Sequence, residues 1–141
     1  MPHARRLLVA SLDVTVARQR LGRTAEELAA RRLARAGFTI LARNARVRTG
    51  ELAGEIDLIA LDGGTLVFVE VKAGRAGSRA GPERPALAVD RRKQLRLRRL
   101  ARAWLATAGA VPRVASLRFD VVGVRLDGTR VVAFEHLRGA F

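Results

Sequence analysis

Four charged residues set into two apolar runs hold the chemistry this sequence could do. Glu55 and Asp57 lie in Gly54-Glu55-Ile56-Asp57-Leu58-Ile59-Ala60, and Glu70 and Lys72 in Leu66-Val67-Phe68-Val69-Glu70-Val71-Lys72. Gly63-Gly64 stands between the runs and predicts a β-hairpin closed by a two-residue turn. That register sets Asp57 opposite Glu70 and Glu55 opposite Lys72 on one face, with opposed Cβ atoms about 4.5–5.5 Å apart. Opposed carboxylates repel each other, and a cation between them removes the repulsion. Hard divalent cations favour carboxylate and carbonyl oxygens, so Mg2+ or Mn2+ is expected, with Asp57, Glu70 and the backbone carbonyl of Val71 among its ligands. Such an ion can polarise a phosphodiester. Lys72 projects from the same face as Glu70 and can orient or activate an attacking water, or neutralise charge developing on the phosphate. The expected catalytic residues are therefore Asp57, Glu70 and Lys72. Glu55, facing Lys72, suits a supporting place behind the ligands. The bland alternative is a salt-bridged strand face, because a Glu-x-Lys triplet alone is weak.

The surrounding elements must bring the remaining groups to this face. Thr24-Ala25-Glu26-Glu27 predicts a helix start, with Thr24 as N-cap and Glu27 as its reciprocal capping-box partner. Ala25, Leu28, Ala29, Leu33 and Ala36 follow at helical spacing, and Gly37 supplies a stop. Capping accounts for Glu27, but not for Glu26, which sits at the border of the apolar face. Glu26 is thus the third candidate metal ligand, approaching from a helix that covers the sheet. Phe38–Asn44 predicts a first strand, and 45–53 a basic connection. In the hairpin, Ile56, Leu58, Ala60, Val67, Val69 and Val71 form one apolar face. The other carries Ile59, Leu61, Leu66 and Phe68 near the turn and the four charged residues beyond them. A sheet apolar on both sides needs cover on both sides, as in α/β proteins.

Residues 73–88 predict a Gly- and Pro-rich loop whose Arg75, Arg79 and Arg84 could clamp a substrate or simply be solvated. Asp90 then caps a second helix over roughly 91–108. Lys93, Leu97, Leu100, Ala101, Trp104 and Ala108 form one face of it, with Trp104 read as core. Arg91, Arg92, Arg96, Arg98, Arg99 and Arg102 place six arginines in twelve residues with no acidic partner, more than solubility requires. Arg91, Arg92, Lys93, Arg96 and Arg99 are the expected nucleic-acid contacts. Strands at 118–124 and 131–134 flank an Asp127-Gly128 turn, completing the order α-β-β-β-α-β-β. Asp120 reads as structural, pairing Arg118, while His3 and His136 stand isolated.

Composition narrows the class. A chain of 141 residues, 49% of them hydrophobic, builds one domain with a real core. Residues 18–141 are expected to form it, with 1–17 as a flexible leader. The formal net charge of +14 points to a polyanion, most simply nucleic acid, with an anionic membrane surface second. All but two of the 27 basic residues are Arg, which GC-biased coding alone can produce. The exceptions, Lys72 and Lys93, are more telling, because a retained Lys suggests a site that needs a compact ammonium. The absence of cysteine excludes disulfides, thiolate metal sites and a Cys nucleophile, and fits a cytoplasmic protein. No apolar run reaches the roughly 18 residues of a membrane span, so no transmembrane segment is expected. Asp13 cuts short the only stretch that faintly resembles a signal peptide.

Taken as an ordered set, Gly22-x-x-Ala25-Glu26-x-x-Ala29, Gly37-Phe38-x-Ile40-Leu41-x-Arg43-Asn44, Gly54-Glu55-Ile56-Asp57-Leu58-Ile59, Phe68-Val69-Glu70-Val71-Lys72 and Arg118-Phe119-Asp120-Val121-Val122 resemble the YraN family of predicted endonucleases. The likeness runs from about residue 19 to the end and includes Glu135-His136-Leu137-Arg138-Gly139-Ala140-Phe141. The resemblance implies a restriction-endonuclease-like core, the PD-(D/E)xK superfamily that includes Holliday-junction resolvases. It implies that Glu26, Asp57 and Glu70 hold the metal and that Lys72 is the catalytic lysine. Two departures stand out: Ala25 where the family often has Gly, and Gly50-Glu51-Leu52-Ala53, which looks like an inserted echo of the Gly-Glu-Ile-Asp segment.

The expectation is an α/β domain, a central mixed β-sheet flanked by helices, acting as a metal-dependent endonuclease on DNA, branched or junction DNA included. A homodimer is left open. The alternative is a non-catalytic nucleic-acid-binding module on the same fold. A third reading is an interaction protein whose arginines meet an acidic partner or membrane. Clustered carboxylates favour the enzyme, since they repel phosphate and serve no pure binder.

Overall fold

A computed structural model describes residues 2–77, 85–109 and 113–141, with side chains from Asp13 onward except Pro85. Helix α1 (Pro2–Arg35) leads into β1 (Thr39–Thr49), β2 (Leu52–Asp62) and β3 (Thr65–Arg75). A 3-10 turn (Pro85–Ala88) and α2 (Arg91–Thr107) then lead to β4 (Ser116–Asp127) and β5 (Arg130–Leu137). The five strands form one mixed sheet in sequence order. β3 and β4 run parallel and the other neighbours antiparallel. The parallel pair demands a crossover connection, which α2 supplies. The fold is α/β in the expected order, consistent with a restriction-endonuclease-like core.

Each helix covers one face of the sheet. Ala25, Ala29, Ala30 and Leu33 of α1 pack on Leu58, Ala60, Val67, Val69, Val122 and Val124. Leu97, Leu100 and Ala101 of α2 pack on the other face with Val47, Ile56, Ile59, Leu66, Phe68 and Phe119. Trp104 joins this second core, edge-on to Phe68 with ring centroids 6.0 Å apart. Among the described residues no helix is long and apolar enough to cross a membrane.

Helix α1 does not begin at Thr24. It begins at Pro2 and runs through the stretch read as a leader. With helix on both sides, Thr24 has no free N–H groups to cap, and its hydroxyl donates to the Arg20 carbonyl at 2.9 Å. Glu27 correspondingly makes an exposed pair with Arg31 at 2.8 Å in place of the capping box. The far end closes as expected. Gly37, at φ 100°, sits in a Schellman motif in which Phe38 N–H donates to Leu33 and Gly37 N–H to Ala34. In α2, Asp90 caps the helix by accepting from Lys93 N–H at 2.9 Å, also as expected.

The segment 45–53 is strand, not connection. Gly50, at φ 56°, and Glu51 turn the chain so that Thr49 pairs with Leu52. Val47 and Ala45 pack against the core beneath α2, which makes this arginine-rich stretch half of a hairpin. The Gly50–Ala53 echo therefore forms the hairpin tip and the start of β2. β4 and β5 extend beyond their predicted cores to meet at Asp127–Arg130. The Gly63-Gly64 turn gives the expected register, from Asp62–Thr65 to Leu58–Val69.

Asp120, on β4, is wholly buried. Arg118 donates to both its oxygens, at 2.8 and 3.0 Å, and Gly139 N–H donates at 2.9 Å. His136, isolated in the sequence, lies 2.7 Å from the same carboxylate. Arg118 also reaches Asp62 at 2.9 Å. This network ties β4 to the β2–β3 hairpin and to the C-terminal residues. Together the carboxylate's donors outweigh its burial and hold Asp120 well below the usual carboxylate range, at about 2.

Candidate active site

Asp57 is the one residue of β2 that pairs in neither flanking ladder. On the β3 side the ladder stops at Leu58–Val69, and Val71 N–H donates instead to Asp57 Oδ2 at 2.8 Å. A side-chain carboxylate thus takes the place of a backbone acceptor. On the β1 side the pairing passes from Arg43–Leu58 to Ala45–Ile56, skipping Asn44 and Asp57. Asn44 there adopts φ 48°, the left-handed region that Asn tolerates better than most residues.

This break reverses the faces upstream of it. Ile56 and Leu58, expected to share a face, instead pack in opposite cores, Ile56 under α2 and Leu58 under α1. A one-residue irregularity has that effect because strand side chains alternate. Glu55 is carried with it. Carboxylate oxygens of Glu26, Glu55 and Asp57 all lie within 4.8 Å of one another. Glu55 therefore joins the carboxylates themselves, and it also lines one cavity with Lys72. Its ion-pair partner is Arg46, at 4.0 Å.

Lys72 pairs with Glu70, Nζ to Oε1 at 3.1 Å. These two face α2 across a cavity of about 200 Å3 lined by Glu55, Glu70, Lys72, Lys93, Arg96 and the aliphatic Val89, Leu97 and Leu100. Of the expected ligands, Glu26 and Asp57 come together, while Glu70 stands beside them, close enough to act on both. For Val71, the N–H is the group in contact with the site.

Charge is poorly balanced in both halves. Burial, followed by the charge of Glu70, pushes the Asp57 carboxyl up to about 8 despite the Val71 N–H. Burial, with the charges of Glu55 and Glu70, likewise raises Glu26. Burial opposes the charge on Lys72, but the adjoining Glu70 carboxylate prevails and raises its pKa. Lys93 is lowered by the hydrogen bond and charge of Lys72. Three carboxylates crowded together favour a cation among them, and two lysines crowded together favour an anion between them. A divalent ion next to a phosphate meets both needs.

The predicted nucleic-acid contacts are distributed unevenly. Arg91, Arg92, Lys93 and Arg99 are exposed. Arg96 is exposed too, yet it donates to the Ala53 carbonyl and lines the cavity. Arg96, Arg99 and Arg102 line a groove with Thr49, Glu51 and Leu52 of the β1–β2 turn. Arg98 lies over the Phe119 and Phe141 rings, at 4.9 and 5.5 Å, and so belongs to the C-terminal packing. Arg79 and Arg84 of the expected clamp, and the His3 side chain, lie outside the described residues.

Two participants were not legible in the sequence. One is Glu55 as a member of the carboxylate group. The other is Asn44, whose only local signal was a turn-tolerant residue inside a strand run.

The model of the uncharacterised protein family UPF0102 matches residues 25–124, a span that includes Glu26, Asp57, Glu70, Lys72 and Lys93. A UPF0102 protein of Frankia alni is 50% identical over 125 residues, covering 89% of this chain and 97% of its own length. One of Streptomyces griseus is 47% identical over 123 residues, covering 87% and 97%. One of Moorella thermoacetica is 43% identical over 129 residues, covering 91% and 100%.

Proposed function

The chain belongs to the uncharacterised family UPF0102, and we propose that it is a metal-dependent endonuclease that hydrolyses phosphodiester bonds in DNA, branched or junction DNA included. The observation that carries this reading is the adjacency of three carboxylates within 4.8 Å to the Glu70–Lys72 pair and Lys93. The resemblance to the YraN family of predicted endonucleases and the form of the sheet support it.

The donor set fits a hard cation. It offers carboxylate oxygens from Glu26, Glu55 and Asp57, with Glu70 close enough to act on Glu26 and Asp57. Mg2+ or Mn2+ held by these groups supplies Lewis-acid polarisation of the phosphoryl oxygen. The remaining work falls to the chain's own side chains. Glu70 keeps Lys72 charged and fixes its ammonium, which orients the attacking water or meets charge developing on the phosphate. Lys93 contacts the same phosphate from the first turn of α2. Arg96, Arg99 and Arg102 carry the adjoining backbone along the groove toward the β1–β2 turn. The substrate and the absence of cysteine suit a cytoplasmic protein.

Branched and linear DNA incubated with Mn2+ test the assignment. Wild-type protein is expected to cut, and Asp57→Ala and Lys72→Ala are not. No cutting of any substrate, or equal cutting by both variants, would sink the assignment. Retained DNA affinity without cutting would mark a binding module.

A further inference from the structure

Asn44 is the only non-glycine residue with positive φ among those described, and its side chain stands between two of the three clustered carboxylates. Set with its nitrogen toward them, the orientation in which both ends of the amide find partners, Asn44 donates to Glu26 Oε2 at 2.6 Å and to Glu55 Oε1 at 3.0 Å. Glu26 comes from α1 and Glu55 from β2, so this amide is the link across the helix–strand gap on that side of the site. Asn44 lies directly across from Asp57, at the step where the β1–β2 ladder skips a pair. The left-handed backbone is strained for a side chain, and it persists where surrounding contacts over-determine it. Here the contacts are the two carboxylates.

Resting on the metal-dependent reading above, we propose that Asn44 is a positioning residue for the cation, holding Glu26 and Glu55 at ligand spacing. An amide suits this place because its two ends are nearly the same shape and opposite in polarity. With the nitrogen inward, it separates two carboxylates that would otherwise repel. Rotated about its last torsion, it offers a carbonyl oxygen, a donor that Mg2+ and Mn2+ accept. The same side chain can therefore serve the carboxylates with or without a cation.

Asn44→Gly separates this role from a backbone one, because Gly adopts positive φ freely. A residue present only for its backbone angle would be replaced by Gly without loss. For a positioning residue, the metal-free Asn44→Gly protein is expected to melt below wild type. Its Mn2+ affinity, measured by calorimetry, is expected to fall about 10-fold or more, the usual effect of losing a group that orients metal ligands. Asn44→Asp presents oxygen at both ends. Its metal-free form is expected to melt below wild type while binding Mn2+ at least as tightly.

If Asn44→Gly melts at or above wild type and binds Mn2+ unchanged, Asn44 is a backbone residue and the proposal fails. Loss of Mn2+ binding in Asn44→Asp overturns the part assigned to the carbonyl. If wild type itself takes up no Mn2+, the metal-dependent reading fails first. The metal-free melts then still decide whether the amide bridges the carboxylates.

Discussion

Ionised, Asp57 destabilises the fold that holds it. Its pKa of about 8 exceeds the ordinary 3.8, so the folded protein binds this proton more tightly than the unfolded chain does. Its contribution to stability is full below about pH 3.8 and is lost as pH rises through about 8. The metal-free protein is therefore expected to melt lower at pH 9 than at pH 6. Asp57→Asn, which keeps an acceptor for the Val71 N–H, should flatten that difference. Mn2+ should raise the melting temperature of wild type at pH 8 and leave Asp57→Asn nearly unmoved. Equal wild-type melting at both pH values would contradict this. Asp120 acts in the opposite direction. Its pKa is depressed to about 2, so the stability it adds is present above pH 3.8 and is lost as pH falls toward 2. Asp120→Ala takes the shared acceptor from Arg118, His136 and the Gly139 N–H and leaves a buried void. It is expected to cost about 3–5 kcal/mol by denaturant titration, and substantially less than 1 kcal/mol would count against the network.

At the scale of elements, the site depends on α2 lying close to β2. A Cβ added at Gly54 would come within 3.0 Å of Arg96 Nη2 and of Leu100 Cδ1. Leu100 is core, so Gly54→Ala is expected to cost about 1–3 kcal/mol. It should also shift α2, and with it Lys93, away from Lys72, weakening DNA cleavage more than DNA binding. The same closeness explains why parts of this site could be read from the sequence and others could not. Gly63-Gly64 set the hairpin register, Asp90 marked the start of α2, and Glu26 stood out at the edge of an apolar face. The break at Asp57 was invisible, because Glu55-Ile56-Asp57-Leu58 alternates as any regular strand does. The break brings Glu55 to Glu26 and Asp57 while it still lines one cavity with Lys72. Thr24 and Glu27 imitated a capping box inside a longer helix. Ala45 and Val47 concealed a strand among arginines.

At the scale of the whole molecule, an acidic centre sits in a chain of net charge +14. On the proposed function, the basic surround would attract a polyanion and the acidic centre would act at one phosphate. DNA affinity should therefore fall linearly with salt on logarithmic axes. Neutralising Arg96 and Arg99 together should reduce the slope by about 2, since each phosphate left without its arginine removes about 0.9. An unchanged slope would take those arginines off the DNA path. Affinity alone does not separate a nuclease from a binder, because both share the basic helix. The acidic centre does, since removing its charge should help binding and harm chemistry. The most direct test is the single-turnover cleavage rate of prebound branched DNA in Mn2+, for wild type and Asp57→Asn. Asp57→Asn is expected to bind the DNA at least as tightly and cut it on the order of 10³-fold more slowly. Cleavage by Asp57→Asn at the wild-type rate would contradict a catalytic role for this carboxylate and, with it, the nuclease reading of the site.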